Sequence, residues 1–430
     1  MQQPVSSLRP SRSYRLLKCG RKVGLRLGWR LPVPAAFVTG SVGKTTTCGM
    51  VAAVLAAAGR RVGLTSSMGC FLAGRQVRRG DSSRPVWAAT VAADPAIDVG
   101  VFETARGGLL LDDFPFRGRI VGAVLNVQNN HVGLDGVGDR NQLARVKSLV
   151  VTRATDLAVL NADDPLCLAM LPRVRAATIC LVGRQADGDI VRKHLARGGL
   201  AACLDPARSG RPAILRLRRE SDEIVALPAA DIPASFGGLF EPVVTNALFA
   251  MAVAHGLGVD GDAIRRGLGG FRSDARDNPG RMNVYRDLPY TLVLTKADGA
   301  VSAAALARYF RTVDVPGRRR LVFSSMGNRS DDWIRNVGRA MAAGFDRFHC
   351  CDWEDTRGRP PRQTAGLLAA GLMEAGVDPG AIDVEPDHDA AIRKGCRSAA
   401  AGDLVVVMTY SSWRTPEIIG LEPSEAGEAA

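Results

Sequence analysis

The chain has 430 residues, 46% apolar and 23% charged, with a mean hydropathy of +0.02, a composition that fits two or three globular domains with sizeable cores. No window approaches the roughly 18–20 uncharged apolar residues of a membrane span, and the arginine-studded first thirty residues lack the apolar stretch of a secretory signal, so a cytoplasmic protein is expected. The net charge of +13 is concentrated at one end, since residues 1–80 hold fourteen Lys/Arg and no Asp or Glu, while aromatics are only 5%; with no reading motif beside the basic arm, a specific nucleic-acid role is excluded.

In chain order, residues 8–31 read as a basic, helical arm ending at Pro32 and Pro34. From residue 35 strands and helices alternate. "AAFVTG" reads as a strand, "TTTCGMVAAVLAAAG" as a helix closed by Gly59, and "RVGLTSS", "IDVGVFET" and "IVGAVLNV" as strands. "LARVKSLVVTRA" is helical and "DLAVLNADD" is a strand reaching a polar tip. Short buried apolar runs alternating with helices predict an α/β fold, a doubly wound, mostly parallel sheet. Residues 199–235 contain hairpin material, "AILRLRRESDEIVALP", and helices follow at "VVTNALFAMAVAHGLG" and "DAIRRGLGGF". The turn-rich "SDARDNPGRMN" reads as a hinge. Alternation restarts at "YTLVLT" and continues to "DLVVVMTY", a second, Rossmann-like α/β unit of about 150 residues. The expected organisation is an arm over 1–34, a P-loop domain over 35–280 and a C-terminal domain over 281–430. Nine cysteines without a C-x-x-C spacing point to reduced thiols. Cys350–Cys351 reads as strand filling.

"GSVGKTT" joins a predicted strand to a predicted helix. Gly40, Ser41 and Gly43 would let backbone N–H groups crowd a polyphosphate at the helix N-terminus, Lys44 would reach the terminal phosphates, and Thr45, followed by Thr46, would offer a hydroxyl to Mg²⁺. Val38 stands where the first glycine of the strict pattern belongs. The loop alone predicts nucleotide binding without naming a reaction. Downstream, Glu103 ends a strand, the edge where ligands collect in such sheets, and reads either as a structural carboxylate or as a Mg²⁺ ligand. His131 lies just past another strand and by itself reads as a packed or capping histidine. Lys147, sixteen residues on, would by default be a solvated helix residue. Asp163 and Asp164 in "LNADDP" read as a turn with helix-capping acids. The chain has forty-nine arginines and only seven lysines. Against that background Lys44, Lys147 and Lys296 mark places where a compact primary amine is needed.

The order G-x-x-G-K-T-T, strand-end Glu, Asn-x-x-x-x-His, helical Lys and N-A-D-D-P resembles the Mur ligase family. The runs "GDSSRPVWAATVAADPAIDVGVFETARGGLL", "NPGRMNVY" and "GNRSDDWIRNVGRAMAAGFDRFHCCDWEDTRGRPPRQTAGLLAAGL" resemble the C-terminal, Mur-ligase half of cyanophycin synthetases. The resemblance implies an ATP- and Mg²⁺-dependent ligase. It would join a small-molecule or peptide carboxylate to an amino acid or other amine through an acyl phosphate. It also implies that Glu103 and His131 hold Mg²⁺, that Lys147 is carbamylated, that Asn246 contacts adenine, and that Arg281, with Lys296, reaches ATP as the C-terminal domain closes. Three departures accompany it. Some 34 residues precede the loop, so neither an ATP-grasp half nor a UDP-sugar domain is expected there. The family's D-Y-A-H-N-P turn is Leu294-Thr295-Lys296-Ala297-Asp298-Gly299 here, with the ribose-facing carboxylate absent or displaced to Asp298. "GNRSDD" replaces G-D-R-x-D-E. Two further readings stay open: a poly-γ-glutamate-synthase-like ligase, and a nucleotide-binding pseudo-ligase acting as a regulatory partner. Homo-oligomer formation is left open.

Overall fold

The computed structural model describes residues 29–421, except 130, 131, 133–135, 209–211, 276, 277 and 298. The chain separates into two compact units, dividing after Phe271.

In the first unit, β1 (Trp29–Arg30) pairs in parallel with a short strand at Phe116–Arg117, so the described end of the arm is extended rather than helical. Next come β2 (Ala35–Thr39), α1 (Lys44–Ala57), β3 (Val62–Ser66), β4 (Gly69–Leu72), β5 (Arg75–Arg79), α2 (Pro85–Ala92), β6 (Val99–Glu103) and α3 (Arg106–Asp112). Beyond the Phe116–Arg117 strand, β7, lie β8 (Ile120–Val124), α4 (Arg140–Thr152), β9 (Leu157–Asn161), α5 (Pro165–Leu168), β10 (Thr178–Gly183), α6 (Asp189–Leu195) and β11 (Leu200–Asp205). A hairpin of β12 (Ile214–Arg219) and β13 (Asp222–Pro228) and two helices, α7 (Glu241–Gly256) and α8 (Gly261–Gly270), complete the unit. The main sheet has eleven strands in the order β13-β12-β11-β10-β9-β8-β2-β6-β3-β4-β5. From β11 to β3 neighbours run parallel, while antiparallel hairpins finish both edges.

The central strands β2, β6 and β8 are buried along their whole length, as a sheet covered on both faces requires. Phe37 anchors the core under them, with ring centroids 5.2, 4.8 and 4.7 Å from Phe102, Phe114 and Phe116. Helix α4 starts at the Asp139 cap, which accepts from Gln142 N at 2.8 Å, satisfying one of the first-turn donors. It then lies tightly on β8, where a Cβ on Gly122 would stand 2.3 Å from Val150 O. That close seating brings the buried stripe Leu143, Lys147 and Val151 onto the sheet.

The second unit is a six-stranded sheet ordered β14-β15-β19-β16-β17-β18, built from β14 (Asn283–Tyr285), β15 (Thr291–Thr295), α9 (Ala300–Thr312), β16 (Arg319–Phe323), α10 (Asp331–Met341), β17 (Arg347–Cys350), α11 (Gln363–Glu374), β18 (Ile382–Val384), α12 (His388–Arg397), β19 (Leu404–Met408) and α13 (Thr415–Ile419). Only the edge strand β14 is antiparallel. Cys350 and Cys351 are buried, and the Cys351 thiol donates to Phe323 O at 3.5 Å; they fill the core. All eight described cysteines are free and buried. Among the described residues no helix is long and apolar enough to cross a membrane.

Asp403, just before β19, ties this unit together. It accepts from Arg318 N at 2.8 Å, Ala400 N at 3.0 Å and Arg320 Nε at 2.6 Å. Burial alone would raise its carboxyl, but those two N–H groups and the guanidinium more than offset it and hold it below the usual carboxylate range. A carboxyl depressed on folding contributes stability above its unfolded pKa, and that contribution is lost as pH falls through the folded value. Asp403→Asn is therefore expected to lower the melting temperature of this unit at pH 7, with the gap to wild type closing under acid. A pH series of thermal melts measures both effects.

Candidate active site

The site forms where β2 ends and α1 begins. Gly43, at φ 88°, is the N-cap of α1, a left-handed conformation that side chains disfavour. A Cβ there would lie 2.4 Å from Asn246 Oδ1, so α7 brings Asn246 directly against the loop. Gly40 is packed on Leu125, where an added Cβ would be 2.9 Å from Leu125 Cβ. Lys44 curls back over its own loop, donating to Gly40 O at 3.1 Å and Ser41 O at 3.4 Å. Thr46 is buried in the first turn of α1.

Thr45 Oγ1 donates to Glu103 Oε2 at 2.9 Å and lies 3.1 Å from Ser67 Oγ. Ser67 N donates to the same carboxylate oxygen at 3.0 Å. Glu103 is 5% exposed at the end of β6, so Thr45, Ser67 and Glu103 gather three hard oxygen donors at the helix N-terminus, a donor set that fits Mg²⁺. Ser67 escaped the sequence reading, because "TSS" carries no signal beyond the end of a strand.

Lys147 is 1% exposed. Burial, and then the nearby positive charge of Lys44, push its amine well below the ordinary lysine range; Cys167 pulls the other way, and Arg106 adds a smaller downward push. Desolvation and like charge both favour the neutral amine. The solvated position that was the default for Lys147 is thus replaced by a buried one, with the lysine on the apolar stripe of α4. Arg106, buried at the start of α3, is a second residue missed from sequence.

His131 and Asp298 lie outside the described residues. In the N-A-D-D-P turn Asp164 has the capping role expected of it, while Asp163 instead ties the turn to the residue after β10. Asp164 accepts from Leu166 N at 2.9 Å and also from Val127 N at 2.7 Å, and Asp163 accepts from Arg184 N at 2.9 Å. The first unit therefore assembles Gly40, Ser41, Gly43, Lys44, Thr45, Thr46, Glu103, Lys147 and Asn246. Arg281 and Lys296 belong to the second unit. There Arg281 NH1 donates to Pro279 O at 2.9 Å. Asn283 shapes the turn that carries Arg281, accepting from Gly280 N at 2.6 Å and donating to Ser273 O and Asn278 O, both at 3.0 Å. The Lys296 ammonium lies 4.8 Å from the centre of the Tyr410 ring, a cation–π distance.

Residues 38–199 match the family described as the Mur ligase middle domain, and residues 280–409 match that described as the Mur ligase, glutamate ligase domain. A cyanophycin synthetase from Synechocystis sp. is 34% identical over 394 residues, covering 90% of this chain and 43% of the relative. The chain thus spans less than half the length of that relative. A UDP-N-acetylmuramate–L-alanine ligase from Bordetella pertussis is 28% identical, covering 89% of this chain and 76% of the relative. Among solved structures, the bifunctional folylpolyglutamate synthase/dihydrofolate synthase from Yersinia pestis, complexed with AMPPNP and Mn ion, superposes with a TM-score of 0.66 at 21% identity, covering 97% of this chain and 95% of that one. That likeness shows the shared α/β fold.

Proposed function

Because the chain carries the middle and C-terminal domains of the Mur ligase family, we propose that it is an ATP-dependent amide ligase joining a carboxylate to an amino acid or other amine. The observation that carries this reading is the grouping of Lys44, Thr45 and Glu103 at one helix N-terminus with the buried Lys147 amine set among cations. Joining a carboxylate to an amine in water is uphill, so the acid must first be activated. In the proposed sequence a carboxylate oxygen attacks the γ-phosphorus of ATP, the bond to the β,γ-bridging oxygen breaks, and ADP leaves an acyl phosphate. The amine nitrogen then attacks the acyl carbon, loses a proton, and inorganic phosphate departs.

Two anions must approach each other in the first step, so positive charge has to be in place beforehand. Loop N–H groups, the α1 N-terminus and the Lys44 ammonium provide it in the first unit; from the second unit we assign Arg281 and Lys296 to the nucleotide. Asn246, against Gly43, is assigned to the nucleotide on the α7 side. Mg²⁺ would be held by Thr45 and Glu103, with His131 as a further ligand, and would neutralise charge on the terminal phosphates. Neutral Lys147 is suited to react with CO₂, releasing a proton and forming a carbamate whose negative charge would answer Lys44 and Arg106.

The test is a phosphate-release screen of the full chain, pairing amino acids with short peptides and small carboxylic acids in the presence of ATP and MgCl₂. Amine-dependent release, with a product one water lighter than the joined pair by mass spectrometry, is the expected result. ATP binding without amine-dependent release would instead support the pseudo-ligase reading. Lys44→Ala is expected to abolish release, and full turnover in that variant would refute the assignment of the loop.

A further inference from the structure

The segment leaving β8 does more for the phosphate loop than its apolar packing requires. Asn126 Oδ1 accepts from both Ser41 N and Val42 N at 3.0 Å, and Asn126 Nδ2 donates to Val42 O at 3.2 Å. Its main-chain oxygen accepts from Ser41 N at 3.1 Å. Two residues on, Gln128 N donates to Ser41 Oγ at 2.9 Å. The same short segment is held from its other side. Asn161 Nδ2 donates to Leu125 O at 2.7 Å, Asp164 Oδ2 accepts from Val127 N at 2.7 Å, and Arg140 NH2 donates to Val127 O at 2.9 Å. Residues 125–128 are thus a strap between the polar tip of β9 and the phosphate loop.

We propose that Asn126 is a positioning residue for the ATP reaction: its carboxamide engages the N–H groups of Ser41 and Val42 and so fixes the loop whose remaining N–H groups, from Gly43 onward, are left for the polyphosphate. The role rests on the ATP-dependent reading above. Only a short carboxamide fits these partners. One oxygen must take two N–H donors, and one nitrogen must reach a carbonyl from the same planar group. Two donors on one side and an acceptor on the other also settle which way the amide faces. Aspartate keeps the accepting oxygen but sets a negative oxygen against Val42 O and adds a charge beside the phosphates. Alanine leaves Val42 N to find another acceptor, reduces Ser41 N to its bond with the main-chain oxygen of residue 126, and removes the donor to Val42 O.

These differences give opposite orders for the two roles. A residue that merely braces the fold is replaced better by aspartate, which keeps the bonds to Ser41 N and Val42 N. A residue that shapes a polyphosphate site is replaced worse by aspartate, because its charge opposes the ligand.

The experiment is calorimetric titration of wild type, Asn126→Ala and Asn126→Asp with ATP and MgCl₂, alongside thermal melts. The expected result is about tenfold weaker ATP binding for the alanine variant, the size expected from losing two or three hydrogen bonds that order the loop. Aspartate should weaken it further while melting no lower than alanine. Unchanged affinity in Asn126→Ala, or a milder loss in Asn126→Asp than in Asn126→Ala, overturns the inference. If the alanine variant does not fold, the uncharged Asn126→Ser variant takes its place. About tenfold weaker ATP binding at a near-wild-type melting temperature supports the inference, and wild-type affinity defeats it. A wild-type chain that shows no ATP binding would instead refute the proposed function itself.

Discussion

Lys147→Arg is expected to melt at a lower temperature than wild type, because it buries a permanent cation, yet to stay folded and bind ATP while losing turnover by about 100-fold or more, the scale on which removal of a preorganised charge acts on a transition state. The argument begins with burial. An amine 1% exposed and facing the positive charge of Lys44 and Arg106 is poor company for a third cation and good company for an anion. Arginine stays protonated and cannot be carbamylated, so the substitution removes the one chemical route by which this position becomes negative. The pH dependence has a definite sign. Folding depresses the Lys147 pKa, so between the folded and unfolded values the unfolded chain binds the extra proton and stability rises with pH. At neutral pH the buried lysine therefore costs stability. Lys147→Met should raise the melting temperature in bicarbonate-free buffer, by about 2–4 °C for each kcal/mol recovered in a domain of this size, and should be inactive. Added bicarbonate should stabilise wild type but neither variant. Normal turnover by Lys147→Arg without bicarbonate would end the carbamate assignment.

The parallel core was legible because its strands are short apolar runs, most of them followed by a helix. Gly59, at φ 75°, ends the first helix where the pattern places it. The edges were harder. "RQVRR" forms β5 although its arginines hide any alternation, since an edge strand needs only one partner and can carry charge outward. Helix α12 was missed for another reason: its buried stripe of His388, Ala391, Ile392, Gly395 and Cys396 is built mostly from small or polar residue types, and what starts it is the Asp387 cap, which accepts from Ala390 N at 2.7 Å. In the site, the loop glycines and Lys44 stood out because a polyphosphate cradle needs those residue types in one contiguous run. Ser67, Arg106 and the grip of Asn126 did not, because each acts on a residue far away in the chain: Ser67 meets Glu103, and Asn126 meets Ser41 and Val42. Lys147 carried a clue that was available. It sits four residues from Leu143 and from Val151, on the buried stripe of its helix, where a solvated lysine has no place.

Gly43→Ala is expected to reduce ATP-dependent turnover strongly, though less than Lys44→Ala, and for a reason distinct from charge. Two costs coincide at this position. The backbone at φ 88° is one that a Cβ disfavours by roughly 1–2 kcal/mol, and the new Cβ would stand 2.4 Å from Asn246 Oδ1, well inside contact. Asn246 sits mid-helix in α7, whose neighbouring residues Val243, Val244, Ala247 and Leu248 are buried, so the helix cannot easily retreat. Either the Asn246 carboxamide swings away or the loop moves, and the left-handed backbone at residue 43 pushes toward the second, shifting the first N–H groups of α1 and the Lys44 ammonium. Turnover should fall by about 100-fold, as a displacement near 1 Å at a reacting centre can produce, while far-ultraviolet circular dichroism stays at wild type. The double variant Gly43→Ala/Asn246→Ala separates the two costs. It relieves the contact but keeps the strained backbone, so its melting temperature should recover part of the loss seen in Gly43→Ala alone, while ATP binding stays weak because the Asn246 contact is gone. If Gly43→Ala binds ATP and turns over like wild type, the loop is not held between Leu125 and Asn246 in the way described, and the assignment of Asn246 to the nucleotide falls with it.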